Sequence, residues 1–211
     1  MNKSSFIISI SGPSGSGKST LVRQLKNRLS EAIAFYFDDY ASTNKYPVDL
    51  IAWLNEGADP KLVMNPDFNR DLNELAQGRS VVLPINDQLL EPKKIIIVEE
   101  PFGRGREGMG ELIDYSVCID IPLEVALARR VLRGIQNANS SPVETLKNVE
   151  DYLLQYLMAV GSLYHVINMK VMSECELVIS GLDPIEIMAD KVIDELMKRN
   201  IQLFNEDSNN S

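Results

Sequence analysis

Short apolar runs rich in isoleucine and valine alternate along the chain with amphipathic stretches, which predicts an α/β fold around a mostly parallel sheet. The runs lack the polar alternation of a half-exposed strand, so both faces of that sheet are expected to be covered. A glycine-rich segment joins the first run to the first amphipathic stretch, as a tight strand-to-helix turn requires. The predicted strands are FIISIS (6–11), AIAFYF (32–37), SVVLP (80–84), KIIIVE (94–99), YSVCIDI (115–121) and ELVIS (176–180). Between them, apolar residues recur three and four apart over 18–30, 48–56, 69–77, 122–137, 143–172 and 184–199, the spacing of a helix with one buried face. NANSSPV (137–143) reads as a connector between two of these helices.

With 211 residues, the chain is expected to form one domain over 1–204, followed by a polar, disordered tail at 205–211. Its apolar fraction of 45% is dispersed in short runs, none near the length of about 20 residues that a membrane helix needs. The start MNKSSFIISIS leads straight into a strand without a cleavage site, so a cytoplasmic location is expected. A net charge of −9 opposes binding to the phosphate backbone of nucleic acid. Cys118 and Cys175 lie in apolar runs and are read as small core residues with no disulfide.

The segment GPSGSGKST fills the pattern G-x-x-x-x-G-K-[ST] with Gly12, Gly17, Lys18 and Ser19, directly after one strand and at the start of a helix. Residues Gly12, Pro13, Ser14, Gly15, Ser16 and Gly17 then form a loop whose backbone N–H groups face inward, and the helix N-terminus adds a field that favours phosphate. Lys18 is expected to reach the β- and γ-phosphates, Ser19 to offer a hydroxyl to Mg²⁺, and Thr20 to lie near the α-phosphate. A nucleoside triphosphate is therefore the expected ligand.

The stretch AFYFDDY places Asp38 and Asp39 where a buried strand ends. A parallel crossover puts that end on the same edge of the sheet as the phosphate loop, so Asp38 is expected to face the γ-phosphate and to accept the proton of an attacking hydroxyl. The segment RRVLR concentrates three cations in five residues of an acidic chain. Arg130 and Arg133 share a helix face three residues apart, and guanidinium forks match phosphate oxygens.

Taken together, the phosphate loop, FDDYA, NPDFNRDLNELAQGRSVVLP, IIIVEEP and IDIPLEVALARRVLRGI resemble the uridine kinase-like family of P-loop kinases, over roughly residues 6 to 180. That group includes uridine and nicotinamide riboside kinases and more distant pantothenate and phosphoribulokinase relatives. The resemblance implies a three-layer P-loop NTPase sandwich with a helical lid over about 129–156. It assigns Asp38 as catalytic base with Tyr40 as the neighbouring aromatic, Asp67 as the ligand of the acceptor's hydroxyls, and Glu99 as the carboxylate near the metal. Lys147 would supply a further lid cation, and Gln155 would contact a base. Where uridine kinases carry a histidine that reads the pyrimidine, PINDQLLEPKK has Asn86 and no histidine.

The implied activity is transfer of the γ-phosphoryl group of ATP, with Mg²⁺, to a small hydroxyl acceptor, with a nucleoside 5′-hydroxyl first. Nicotinamide riboside, pantothenate or a sugar is the alternative acceptor, and a non-catalytic ATP-binding regulatory protein is the alternative class. The sole histidine, His165, is assigned no role. Trp53 and Tyr46 are candidates for the acceptor side, and Glu100, Arg104 and Arg106 are left open between incidental and functional charge.

Overall fold

The computed structural model describes residues 3–199. The tail expected at 205–211 lies outside the described residues. In chain order the elements are β1 (Phe6–Ser11), α1 (Lys18–Arg28), β2 (Ala32–Tyr36), a 3₁₀ turn (Phe37–Thr43), α2 (Leu50–Asn55), a second 3₁₀ turn (Pro60–Leu62), α3 (Pro66–Ala76) and the short β3 (Val81–Val82) and β4 (Leu89–Leu90). There follow β5 (Ile95–Glu99), α4 (Met109–Leu112), β6 (Tyr115–Asp120), α5 (Leu123–Gln136), α6 (Pro142–Gln155), a π turn (Tyr156–Val160), α7 (Gly161–Glu174), β7 (Leu177–Ser180) and α8 (Ile185–Lys198).

Five strands form one parallel sheet in the order β2-β5-β1-β6-β7. Successive side chains of a strand point to opposite faces, and the core divides accordingly. From β1, Ile8 and Ile10 join Leu21, Val22 and Leu25 of α1 and Met188, Val192 and Leu196 of α8 in one layer. Ile7 joins Phe68, Leu72 and Leu75 of α3 and Leu163, Ile167 and Val171 of α7 in the other. The strand β5 splits in the same way, with Ile95 and Ile97 on the first face and Ile96 and Val98 on the second. These are the three layers and the parallel sheet that the apolar runs predict. Among the described residues no helix is long and apolar enough to cross a membrane.

Two expectations need correction. The run SVVLP was expected to add a strand to the main sheet, but only Val81 and Val82 are extended, and they pair antiparallel with Leu90 and Leu89 in a separate hairpin. A tight turn follows at once, with Leu83 N–H donating to Gln88 and Asp87 N–H to Leu83, so the segment pairs with its own return; Val82 is 55% exposed. The helix expected over 143–172 is broken into α6 and α7 by one π turn, closed by Gly161 N–H donating to the carbonyl of Tyr156. A Cβ at Gly161 would lie 2.8 Å from the Tyr156 ring, so the glycine gives that ring its room.

Register decides what the sheet's carboxyl edge carries. Glu99 pairs with Ile10 of β1 on one side and Tyr36 of β2 on the other. The residues just beyond these strands, Gly12 and Asp38, therefore emerge beside Glu99. Crevices at this edge of an open parallel sheet are where such folds receive ligands.

Beneath the 3₁₀ turn lies an aromatic cluster in which Tyr40 meets Phe35 at 5.3 Å and Phe68 at 5.5 Å between ring centroids. Tyr40 is 1% exposed, and its hydroxyl donates to Asp71 at 2.8 Å. Tyr40→Phe would leave a buried carboxylate short of one donor and is expected to lower unfolding stability by about 1–3 kcal/mol. Urea denaturation of the two proteins measures this.

Candidate active site

The phosphate loop leaves β1 at Gly12 and enters α1 at Lys18. Gly15 has φ +91°, and a Cβ there would fall 2.2 Å from the carbonyl oxygen of Ala126, so only glycine lets the loop lie this close to α5. Lys18 folds back into the arc and donates to the carbonyl of Pro13 at 3.1 Å. Its Nζ stands 3.9 Å from Glu99 Oε1.

Both charges are shut off from water, Lys18 being 7% and Glu99 4% exposed. Burial pulls the Lys18 ammonium below its usual range, against the opposing pull of Glu99 and Asp38. Burial likewise pushes the Glu99 carboxyl up, while Lys18 and the Ser19 hydroxyl draw it down. Desolvation outweighs the mutual attraction in both groups, so each charged form is disfavoured by its burial.

A cavity of about 570 Å³ opens over this pair. Its wall includes Gly12, Pro13, Ser14, Gly15 and Gly17, then Lys18, Ser19 and Thr20, and also Asp38, Glu99 and Arg133. The exposed Asp38 thus shares one hollow with the phosphate loop. Beside it, Asp39 is half-buried, and burial and the charge of Asp38 push its carboxyl up. A second hollow of about 340 Å³ lies across the loop, lined by Ser16, Thr20, Arg129, Arg133, Gly181 and Asp183 among others. Gly15, Gly17, Thr20 and Arg133 line both.

Other expected site residues lie elsewhere. Tyr40 is held in the aromatic cluster by its bond to Asp71. Asp67 sits in the first turn of α3, away from the cavity wall, and accepts from Arg70 at 2.7 Å. Lys147 and Gln155 are exposed on α6, a helix with no buried residue, and neither lines a hollow. Arg130 stacks over the Tyr152 ring at 5.4 Å and lies outside both walls. His165, to which no role was assigned, is exposed. Cys118 is buried and Cys175 half-buried, and both are free thiols.

The open question over Glu100, Arg104 and Arg106 resolves by geometry. Arg104 is spent on the carbonyls of Ile113, Asp114 and Glu174 and on the carboxylate of Glu176. Arg106, 2% exposed, grips the fully buried Glu100 through Nε at 3.1 Å and Nη2 at 2.6 Å. Its guanidinium lies 4.9 Å from the Phe37 ring and 5.1 Å from that of Phe68. It is thereby wedged between the residue before Asp38 and the residue after Asp67. The sequence does hold a clue to this pair: a second carboxylate directly after a buried strand demands a cation, and RGR follows within six residues.

Sequence comparison supplies the setting for this geometry. Over 171 residues the chain is 28% identical to a uridine kinase of Macrococcus caseolyticus, covering 75% of this chain and 80% of that one. A uridine kinase of Limosilactobacillus reuteri is 23% identical with 94% and 95% covered. The chain is thus similar to uridine kinases over most of its length. Inorganic pyrophosphatase TTM2 of Arabidopsis thaliana is 26% identical over 161 residues, but the match spans 71% of this chain and 23% of TTM2. No family model matches. Within this site, Glu100 and Arg106 form a structural brace under the turn that carries Asp38.

Arg106→Met alone strands a buried carboxylate and is expected to cost about 3–5 kcal/mol, whereas Glu100→Leu with Arg106→Met should recover most of that loss. Guanidinium denaturation of the single and double variants reads the difference directly.

Proposed function

We propose that this chain transfers the γ-phosphoryl group of ATP to the hydroxyl of a small-molecule acceptor. The observation that carries the reading is the placement of Asp38 in one cavity with the phosphate loop, Lys18, Ser19 and Glu99. Phosphoryl transfer asks a protein mainly to position reactants and offset charge, and these residues supply both.

Within this reading, the loop amides and Lys18 hold the triphosphate, and Arg133, common to the two hollows, spans from phosphates toward the nucleoside. The second hollow, between Arg129 and the turn at Gly181, suits the nucleoside. Asp38 accepts the acceptor's proton as the hydroxyl oxygen attacks. The helices α5 and α6 act as the lid, with Arg130 joining Arg133 on closure; their sparse burial, Ala126 alone in α5 and none in α6, is consistent with movement.

The donor set fits Mg²⁺. The Ser19 hydroxyl lies against a Glu99 carboxylate whose burial leaves it short of positive charge. Among the described residues no group of three or more carboxylate, histidine or cysteine ligands gathers, and magnesium commonly takes one or two protein oxygens and completes its shell with phosphates and water. When bound there it would neutralise charge on the phosphates; Ser19 and Glu99 would hold it.

The relatives' names favour a nucleoside 5′-hydroxyl as acceptor. The residues that the family resemblance assigns to nucleoside contact, Asp67 and Gln155, lie outside the cavity wall, so that choice rests on similarity alone. A regulatory ATP-binding role is the second class, and the open placement of Asp38 favours catalysis over it.

Asp38→Asn is expected to lower acceptor-dependent turnover by about 10²–10⁴-fold while the Kd for ATP stays nearly constant. Quenched-flow kinetics with calorimetric binding separates the two, and undiminished turnover would remove Asp38 from the mechanism.

The depressed pKa of Lys18 gives a pH signature. The triphosphate favours the ammonium form, so binding raises that pKa and takes up protons at alkaline pH, and ATP affinity falls as pH rises through the free protein's Lys18 pKa. Calorimetry in buffers of different ionisation enthalpy measures the uptake, and proton release there would contradict it.

A further inference from the structure

The face of α7 that fronts the cavity carries Leu163, Tyr164, Ile167 and Asn168 at helical spacing. Tyr164 reaches from there to the phosphate loop. Burial pushes its phenol up, Tyr152 pushes it further, and the Ser14 hydroxyl draws it down. A neighbour that lowers a phenol's pKa does so by donating to its oxygen, so Ser14 serves that oxygen and the phenol keeps its own proton to give. The Tyr152 hydroxyl beside it is shut off from water and has no partner at hydrogen-bond distance.

Ser14 marks the γ end of the loop. Lys18, which in such loops reaches the β- and γ-phosphates, bends its ammonium back to the carbonyl of Pro13, the residue before Ser14. Behind Tyr164 the rings of Tyr156 and Tyr152 follow at 6.3 Å and 6.4 Å between centroids, and the Arg130 guanidinium lies 5.4 Å over the last of them. Among the described residues Arg130 pairs with no carboxylate, and its charge bears on Tyr164. The charge of Glu124 bears on Tyr156 instead. A phenol proton, a buried hydroxyl and a guanidinium thus gather beside Ser14 with no anion to receive them. Such a surplus of donors away from water suits an anionic oxygen.

We infer that Tyr164 is a further phosphate-binding residue of this chain, its phenol donating to an oxygen of the γ-phosphate on the Ser14 side of the loop, where Arg130 adds its charge. The inference rests on the triphosphate site proposed above and adds to it a contact from α7, a helix outside the glycine-rich motif. Tyr164 changes no covalent bond. When the γ-phosphoryl group moves, the acceptor O–H bond breaks toward Asp38, an O–P bond forms and the bond to ADP breaks, while the phenol keeps its proton. ADP lacks the phosphate concerned and leaves the contact unmade.

The test is calorimetric binding of ADP and of the β,γ-imido analogue of ATP, each with magnesium, to the full chain. Neither ligand requires an acceptor or turnover. Tyr164→Phe removes the hydroxyl and keeps the ring that packs on Tyr156. It is expected to raise the Kd of the imido analogue about tenfold, the scale of one hydrogen bond to a charged group, and to leave the Kd of ADP within about twofold.

An equal loss for both nucleotides, or no loss for either, would overturn the inference. A selective loss for the imido analogue, with no ADP release from ATP in the presence of uridine, ribose or pantothenate, would sustain the contact while counting against phosphotransfer. Acceptor-stimulated ADP release, with both affinities unmoved by Tyr164→Phe, would overturn the contact and leave phosphotransfer standing.

Discussion

A lysine and a glutamate held out of water at the carboxyl edge of a parallel sheet set the terms for this molecule. Lys18 and Glu99 are close enough to attract and too far apart to form a tight bond, at 3.9 Å. Their burial costs more than that attraction returns, as the opposed displacement of their pKa values indicates. Such a pair is tolerated where the fold enforces it. Here the enforcement comes from β1 and β5 lying side by side in register, which brings the loop after one strand against the last residue of the other.

The surrounding packing maintains that enforcement. Gly15 allows the phosphate loop to press on the backbone of α5, so loop and helix share a contact that a single methyl group would break. On the opposite side the Glu100–Arg106 pair wedges between Phe37 and Phe68, fixing the start of the turn that presents Asp38. The residue that faces solvent is thus carried on a scaffold that is nearly all buried. Rigid support below a mobile ligand is the general requirement for placing a reacting group to within fractions of an ångström.

The cavity combines two environments that serve different ends. Charged groups cluster beside the glycine-rich loop, and apolar side chains from α7 and from the segment around Trp53 form much of the remaining wall. The π turn between α6 and α7 lies at the meeting of these parts, where its extra residue re-aims the helix and α2 packs against it.

By itself the sequence determined the parallel α/β layering, the phosphate loop and the company of Asp38. Each rests on local chemistry: β-branched runs buried on both faces, glycines at a strand-to-helix turn, and a parallel crossover that returns strand ends to one edge. Only the tertiary structure decided which side chains line the cavity. Tyr40 turns down into an aromatic cluster, Asp67 is engaged by Arg70, and Lys147 and Gln155 face water, while Asn168 and Leu163 enter the wall from a helix whose pattern marks a buried face and names no neighbour. The hairpin at Val81 and the π turn at Tyr156 escaped the sequence for the same reason: pairing partners and a single extra residue in a helix depend on contacts distant in the chain, and periodicity carries no record of them.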